Sequence, residues 1–155
     1  MPVRNVPIDI IAYGSDASVV LLAEASGVCG SSEDWAAQYR RNMLEHRVLP
    51  PSRYFLIATP EKLYLWKQEG SFAPDDPPHF TIDAREALGP YFERSGLDPA
   101  RAYRGVFEFL IFSWLADLIN SLDRHAHLDP SLRPLSESGL LSALGRAELD
   151  LTSAR

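Results

Sequence analysis

Residues 7–47 read PIDIIAYGSDASVVLLAEASGVCGSSEDWAAQYRRNMLEHR, two apolar runs and an amphipathic one separated by turn-forming residues. Residues 6–14 are rich in β-branched and aromatic residues and are apolar at both parities, as a strand covered on both faces should be. Asp9 is the one charge in that run. SDAS at 15–18 has turn chemistry, and Val19–Ser26 is a second two-sided apolar strand with one charge, Glu24. A connection this short predicts an antiparallel hairpin. After GVCGS a helix begins, with Ser31 or Ser32 as its cap and Glu33 and Asp34 placing negative charge in its first turn. Trp35, Tyr39 and Met43 stand at i, i+4 and i+8 and form its core stripe; Asp34, Gln38 and Arg41 form a polar one beside it. Arg47 lies in the last turn, and Pro50-Pro51 prevents any continuation.

Further along, Tyr54–Thr59 and Leu63–Lys67 read as strands around Pro60-Glu61-Lys62, so the helix at 32–47 becomes a crossover between Val19–Ser26 and Tyr54–Thr59, right-handed by the general rule. Gln68–His79, with three prolines and two aspartates, reads as a surface loop. Asp83 can cap a helix over 84–95 that Gly89-Pro90 interrupts. Asp98-Pro99 opens a long helix to about Leu122 whose segment VFEFLIFSWLADLI is apolar on nearly every side and must be buried in the domain or against a partner. Beyond Asp129-Pro130 the leucines at 140, 141, 144, 149 and 151 suggest a short amphipathic helix. The fold expectation is therefore α/β, a mixed central sheet flanked by helices with a long apolar C-terminal helix, as one domain over 1–130 and a tail over 131–155.

Composition narrows the function classes. The chain has 155 residues, 46% of them hydrophobic and 23% charged, enough for one sizeable core. Its net charge of −6 does not favour nucleic-acid binding, which wants a basic footprint. The single cysteine, Cys29, excludes an internal disulfide framework and fits a reducing compartment. No charged-then-apolar leader precedes the first strand. The apolar run Val106–Ile119 is about 14 residues and carries Glu108 and Asp117, too short and too charged to span a bilayer. The expectation is a soluble, cytoplasmic protein.

Chemistry is concentrated at the hairpin. Glu24 and Ser26 are two apart on a strand and share a face, and Asp9 lies on the neighbouring strand, where a suitable register sets its carboxylate beside that of Glu24. Two carboxylates at the edge of a two-sided apolar sheet are costly to desolvate unless a cation or donors satisfy them, and oxygen ligands suit Mg²⁺. A hard ion so held polarises a phosphoryl oxygen and activates water. The simpler alternative is structural: Asp9 bonded to backbone donors at a strand edge, Glu24 paired with Arg40 or Arg41, and Gln38 a solvated helix position.

Pro7-Ile8-Asp9, then Glu24-Ala25-Ser26 on the next strand, then a helix carrying Gln38 and the strands of RYFLIATPEKLYLWK together resemble the PD-(D/E)XK nuclease superfamily, also called the restriction-endonuclease-like fold. The resemblance covers residues 6 to about 67. It implies Asp9 and Glu24 as Mg²⁺ ligands, Gln38 as the polar position of the helix and cleavage of phosphodiester bonds. It also marks a departure, because the family's lysine falls on Ser26. The chain has two lysines, Lys62 and Lys67, both after the crossover helix; with Arg40 or Arg41 they are the candidates for a relocated positive charge, Lys62 foremost. An arginine cannot serve as a base near neutral pH, and losing one transition-state charge stabiliser costs roughly 100-fold to 1000-fold in rate. The family's usual helix and strand before the aspartate strand are also missing from residues 1–5, so the helices at 84–122 or another chain must take their packing role. Two functions follow. In the first, cleavage is lost or weakened and the protein is a binding or assembly module, with the helix at 106–119 as the interface to a homo-oligomer or protein partner. In the second, the protein is a Mg²⁺-dependent nuclease using Asp9, Glu24 and a relocated Lys or Arg.

Two weaker candidates complete the reading. Asp123, His125, His127 and Asp129 alternate ligand types that can bind zinc, although histidines also suit the negative end of a helix. Cys29 sits between glycines before a helix, with no base near it in sequence.

Overall fold

A computed structural model describes residues 6–68, 73–103, 105–121 and 130–152. Its centre is a six-stranded mixed sheet built from β1 (Ile10–Tyr13), β2 (Val19–Ala25), β3 (Tyr54–Ala58), β4 (Lys62–Lys67), β5 (Phe80–Asp83) and β6 (Glu148–Leu151), in the order β5-β4-β3-β2-β1-β6. The β1–β2 hairpin is antiparallel, with Ile10 opposite Ala23 and Ile11 opposite Leu22. The β2–β3 pair is parallel, with Glu24 beside Ile57, and the remaining pairs are antiparallel. Helix α1 (Glu33–His46) makes the crossover that a parallel pair requires.

Helices cover both faces, which is why the strands are apolar at both parities. Ile11, Leu22, Phe55, Ile57, Tyr64 and Trp66 pack under Ala36 and Met43 of α1. The alternate residues Ile10, Leu21, Ala23, Leu56, Leu65 and Ile82 face α2 (Arg85–Ser95), α3 (Val106–Asn120), α4 (Arg133–Glu137) and α5 (Leu140–Ala143). These later helices thus supply the second covering layer.

Helix α1 crosses the strands obliquely. At its start Glu33 accepts a hydrogen bond from the Thr81 hydroxyl on β5 and the Ser31 hydroxyl bonds that of Tyr64 on β4, each at 2.7 Å. At its end Arg47 donates to the Pro7 carbonyl just ahead of β1, at 3.0 Å. Ser32 is the cap, accepting from the Trp35 amide at 3.1 Å.

Several expectations are corrected. Among the described residues there is no long apolar C-terminal helix. Asp98 caps only a single 3₁₀ turn, Pro99–Arg101, and Gly105 at φ +84° breaks the chain direction before a 15-residue α3 begins. Helix α3 is also not terminal: Leu140 and Leu141 lie on α5, while Leu149 and Leu151 belong to β6, which pairs with β1. Residues 80–83 form β5 where the loop was expected to give way to helix. Helix α2 runs through Gly89-Pro90 without interruption, its first free amide, on Arg85, bonded to Asp83 at 3.0 Å. Asp123, His125, His127 and Asp129 lie outside the described residues, as does Leu122. Among the described residues no helix is long and apolar enough to cross a membrane.

Candidate functional site

The β1–β2 ladder ends in a reciprocal clasp rather than in ordinary strand bonds. Asp9 donates its backbone N–H to Glu24 Oε1 at 3.3 Å, and Asp9 Oδ2 accepts the backbone N–H of Ala25 at 2.9 Å. Each strand thus lends a carboxylate to the other's amide. The two residues stand across from one another on the α1 face, one step beyond the Ile10–Ala23 pair, and are 2% and 1% exposed. Carboxylates this buried need donors, and the neighbouring elements provide them. The Tyr39 hydroxyl donates to Glu24 Oε2 at 3.1 Å, and Arg47 Nη1 donates to the same oxygen at 3.0 Å. From the far side β6 closes in: the Thr152 amide donates to the Asp9 carbonyl at 2.8 Å, and the Thr152 hydroxyl donates to the Ile8 carbonyl.

Two depressions flank the clasp and meet at Arg47. One, about 280 Å³, is lined by Val6, Pro7, Ile8, Asp9, Glu24, Arg47 and Thr152. The other, about 420 Å³, follows one side of α1 past Trp35, Gln38, Tyr39, Asn42, Met43, His46 and Arg47. The Tyr39 phenol is pushed up to about 12, first by burial and then by the Glu24 carboxylate that its proton satisfies. It therefore acts as a fixed donor at neutral pH.

Of the four candidate catalytic residues, Asp9 and Glu24 are brought together and Gln38 and Lys62 are not. Gln38 is exposed on the outer side of α1, because it precedes Tyr39 by one residue and so lies about 100° round the helix from it. Lys62 opens β4 opposite Asp83. It is two strands from Glu24, roughly 10 Å at ordinary strand spacing. Lys67 lies beside Tyr54, at the other end of the sheet. Ser26 bonds within its own turn, its hydroxyl accepting the Val28 amide at 3.4 Å.

Neither arginine expected beside Glu24 is there. Arg41 pairs with Glu45 on the surface. Arg40 is fully buried on the sheet-facing side of α1, two turns before Arg47, over the Trp66 ring at 5.1 Å and bonded to Gln68 and to the carbonyls of Ala73 and Pro74. Burial lowers its guanidinium to about 10. The residue the sequence reading passed over is Arg47, 30% exposed in its side chain. The signal was present, since Trp35, Tyr39 and Met43 extend at the same four-residue step to Arg47. Cys29 is exposed, its Sγ 3.7 Å from the Pro99 carbonyl.

The donor set does not fit a resident Mg²⁺. Among the described residues no group of three or more His, Cys, Asp or Glu is placed around one point. Moreover, Glu24 Oε1 and Oε2 and Asp9 Oδ2 all accept hydrogen bonds from the protein, and a guanidinium already holds the place beside Glu24 that a divalent cation would take. Comparison of the chain with family models, curated proteins and solved structures finds no match.

Proposed function

We propose that the protein is a binding or assembly module built on a PD-(D/E)XK-like framework in which phosphodiester cleavage has been lost. The observation that carries this reading is the Arg47–Glu24 pair, 3.0 Å apart and joined by the Tyr39 hydroxyl. A cation covalently part of the chain neutralises the acid that a nuclease would give to its metal. The order of elements supports the framework: an aspartate strand, an antiparallel glutamate strand, a crossover helix, then a parallel strand. The position after Glu24-Ala25 carries serine and no lysine approaches the acids; the cation beside them, Arg47, is bound to Glu24 and as a guanidinium cannot serve as a base near neutral pH.

The test is incubation of the purified protein with single- and double-stranded DNA and with RNA in Mg²⁺ or Mn²⁺, alongside thermal melts with and without each ion. The expected result is no cleavage and an unchanged melting temperature. Metal-dependent cleavage that Asp9→Ala and Glu24→Ala both abolish would overturn the reading. In Arg47→Met, removal of one partner of a largely buried pair costs about 3 kcal/mol. If the guanidinium stands in for a metal, Mn²⁺ then restores part of that variant's melting temperature and has no effect once Glu24→Gln is added.

A further inference from the structure

Three of the five large hydrophobic residues exposed among the described residues gather at the start of α3: Tyr103 at 66%, Val106 at 50% and Phe109 at 59%. Val106, Phe109, Ser113 and Asp117 recur at i, i+3, i+7 and i+11, one stripe of α3, and with Tyr91 and Arg94 of α2 they bound a groove of about 350 Å³. Beside the groove rises a ridge, the rings of Phe109 and Phe112 stacked with centroids 6.3 Å apart. Helices associate by setting ridges into grooves, and here one surface carries both.

Charge narrows the occupant. The chain carries −6, so two copies repel at most approaches. At this groove the charges balance: the Arg94 guanidinium lies over the Tyr91 ring at 4.5 Å, and the Tyr91 hydroxyl donates to Asp117 at 2.5 Å. A lipid surface would favour a basic rim, whereas the described residues that line this groove carry one cation, Arg94, and one anion, Asp117. A basic partner would gain little from a neutral patch when acidic surface lies elsewhere.

We infer that the α2–α3 groove is an isologous interface, occupied by the same groove of a second copy of this chain. A two-fold axis repeats every contact, so Phe109 of each copy enters the groove of the other and Arg94 of each faces Asp117 of the other. At 1.5 Å per residue the stripe from Val106 to Asp117 spans only about 16 Å of α3, a contact of the weak, transient kind. The dimer is therefore a reversible one that forms with rising concentration. This names the partner of the assembly module proposed above, and the two readings fail separately: a monomer would leave the cleavage result untouched, and cleavage would leave the dimer untouched.

Sedimentation equilibrium over micromolar to near-millimolar protein tests it. The mass should rise from 17.3 kDa towards twice that value. Phe109→Glu, at an already exposed site, should stay monomeric with its melting temperature retained. Arg94→Asp and Asp117→Arg, each placing like charges across the axis, should each weaken association by about tenfold or more. Mixed together these two variants should regain it, because each copy then supplies the charge the other lacks. A wild-type chain that stays monomeric throughout, a dimer that survives Phe109→Glu, or a mixture no tighter than its components would each overturn the inference.

Discussion

Tyr39 shows how a residue assigned to packing becomes part of the polar centre. Its ring is half-buried against Trp35, centroids 5.3 Å apart, while its hydroxyl reaches Glu24. Tyr39→Phe keeps the ring and deletes the donor to a buried carboxylate, so stability at neutral pH should fall by about 1.5 kcal/mol, the low end for a bond to a charged group because the site is partly wet. The pH dependence has a definite sign. The folded phenol holds its proton up to about 12 against an ordinary 10, so its contribution is whole below pH 10 and is lost as the pH rises towards 12. Urea titrations from pH 8 to 12 should therefore show a shallower alkaline decline in the variant. Tyr91, raised to about 12 by burial and its bond to Asp117, keeps the remainder of that decline. A variant that loses nothing at pH 7 and follows the wild-type curve would show that the Tyr39–Glu24 bond is not made in solution. The sequence placed Asp9 and Glu24 correctly as neighbours because strand parity is a strong constraint, one residue of slip exchanging faces. It misplaced Glu24's partner because Arg40 and Arg47, seven residues apart, share one face of α1, and position along the helix axis, which periodicity does not give, sets Arg40 over Trp66 and Arg47 beside Glu24.

Among the elements, the turn after β2 is the most tightly constrained. A β-carbon on Gly27 would stand 2.1 Å from the carbonyl oxygen of Ala102, backbone against backbone, so the strand end is pressed directly onto the segment entering α3. Gly27→Ala should cost at least about 3 kcal/mol, at the top of the range for an overpacked site, because no flexible side chain can yield. Gly30→Ala is the comparison: its β-carbon would meet nothing within 4 Å, and the cost is confined to its φ of +69°. Equal midpoints for the two variants in chemical denaturation would contradict that contact. The hairpin, the crossover helix and the third and fourth strands were legible in the sequence because both periodicities and both caps agree there. Strands β5 and β6 were not. Each has four residues, and Phe80–Asp83 and Glu148–Leu151 carry too few alternating apolar positions to outweigh the prolines and charges beside them. They exist because β4 and β1 would otherwise leave their ladders unpaired. Gly105 likewise hid the end of the expected long helix, since a single glycine in an apolar run does not announce a left-handed φ.

At the scale of the whole molecule, two faces of one sheet divide the work. The α1 face carries the clasped acids, and the α2–α3 side carries the apolar groove where a second copy would dock. The oblique course of α1 has a further outcome for how the molecule comes apart. Its side chains and flanking residues are fastened to Thr81, Tyr64, Glu24 and Pro7, points on β5, β4 and β2 and ahead of β1. A sheet fastened across its grain cannot shed those strands one at a time, because freeing any of them first loosens the helix that holds the rest. Native-state hydrogen exchange should then find the amides of β2, β3 and β4 opening together with a single free energy equal to that of global unfolding. Strand β6, at the edge of the sheet and paired with β1, should exchange earlier and independently. Separate opening energies for β4 and β2 would mean that α1 is a passenger on the sheet. A common value would make it the latch that turns β2, β3 and β4 into one cooperative unit.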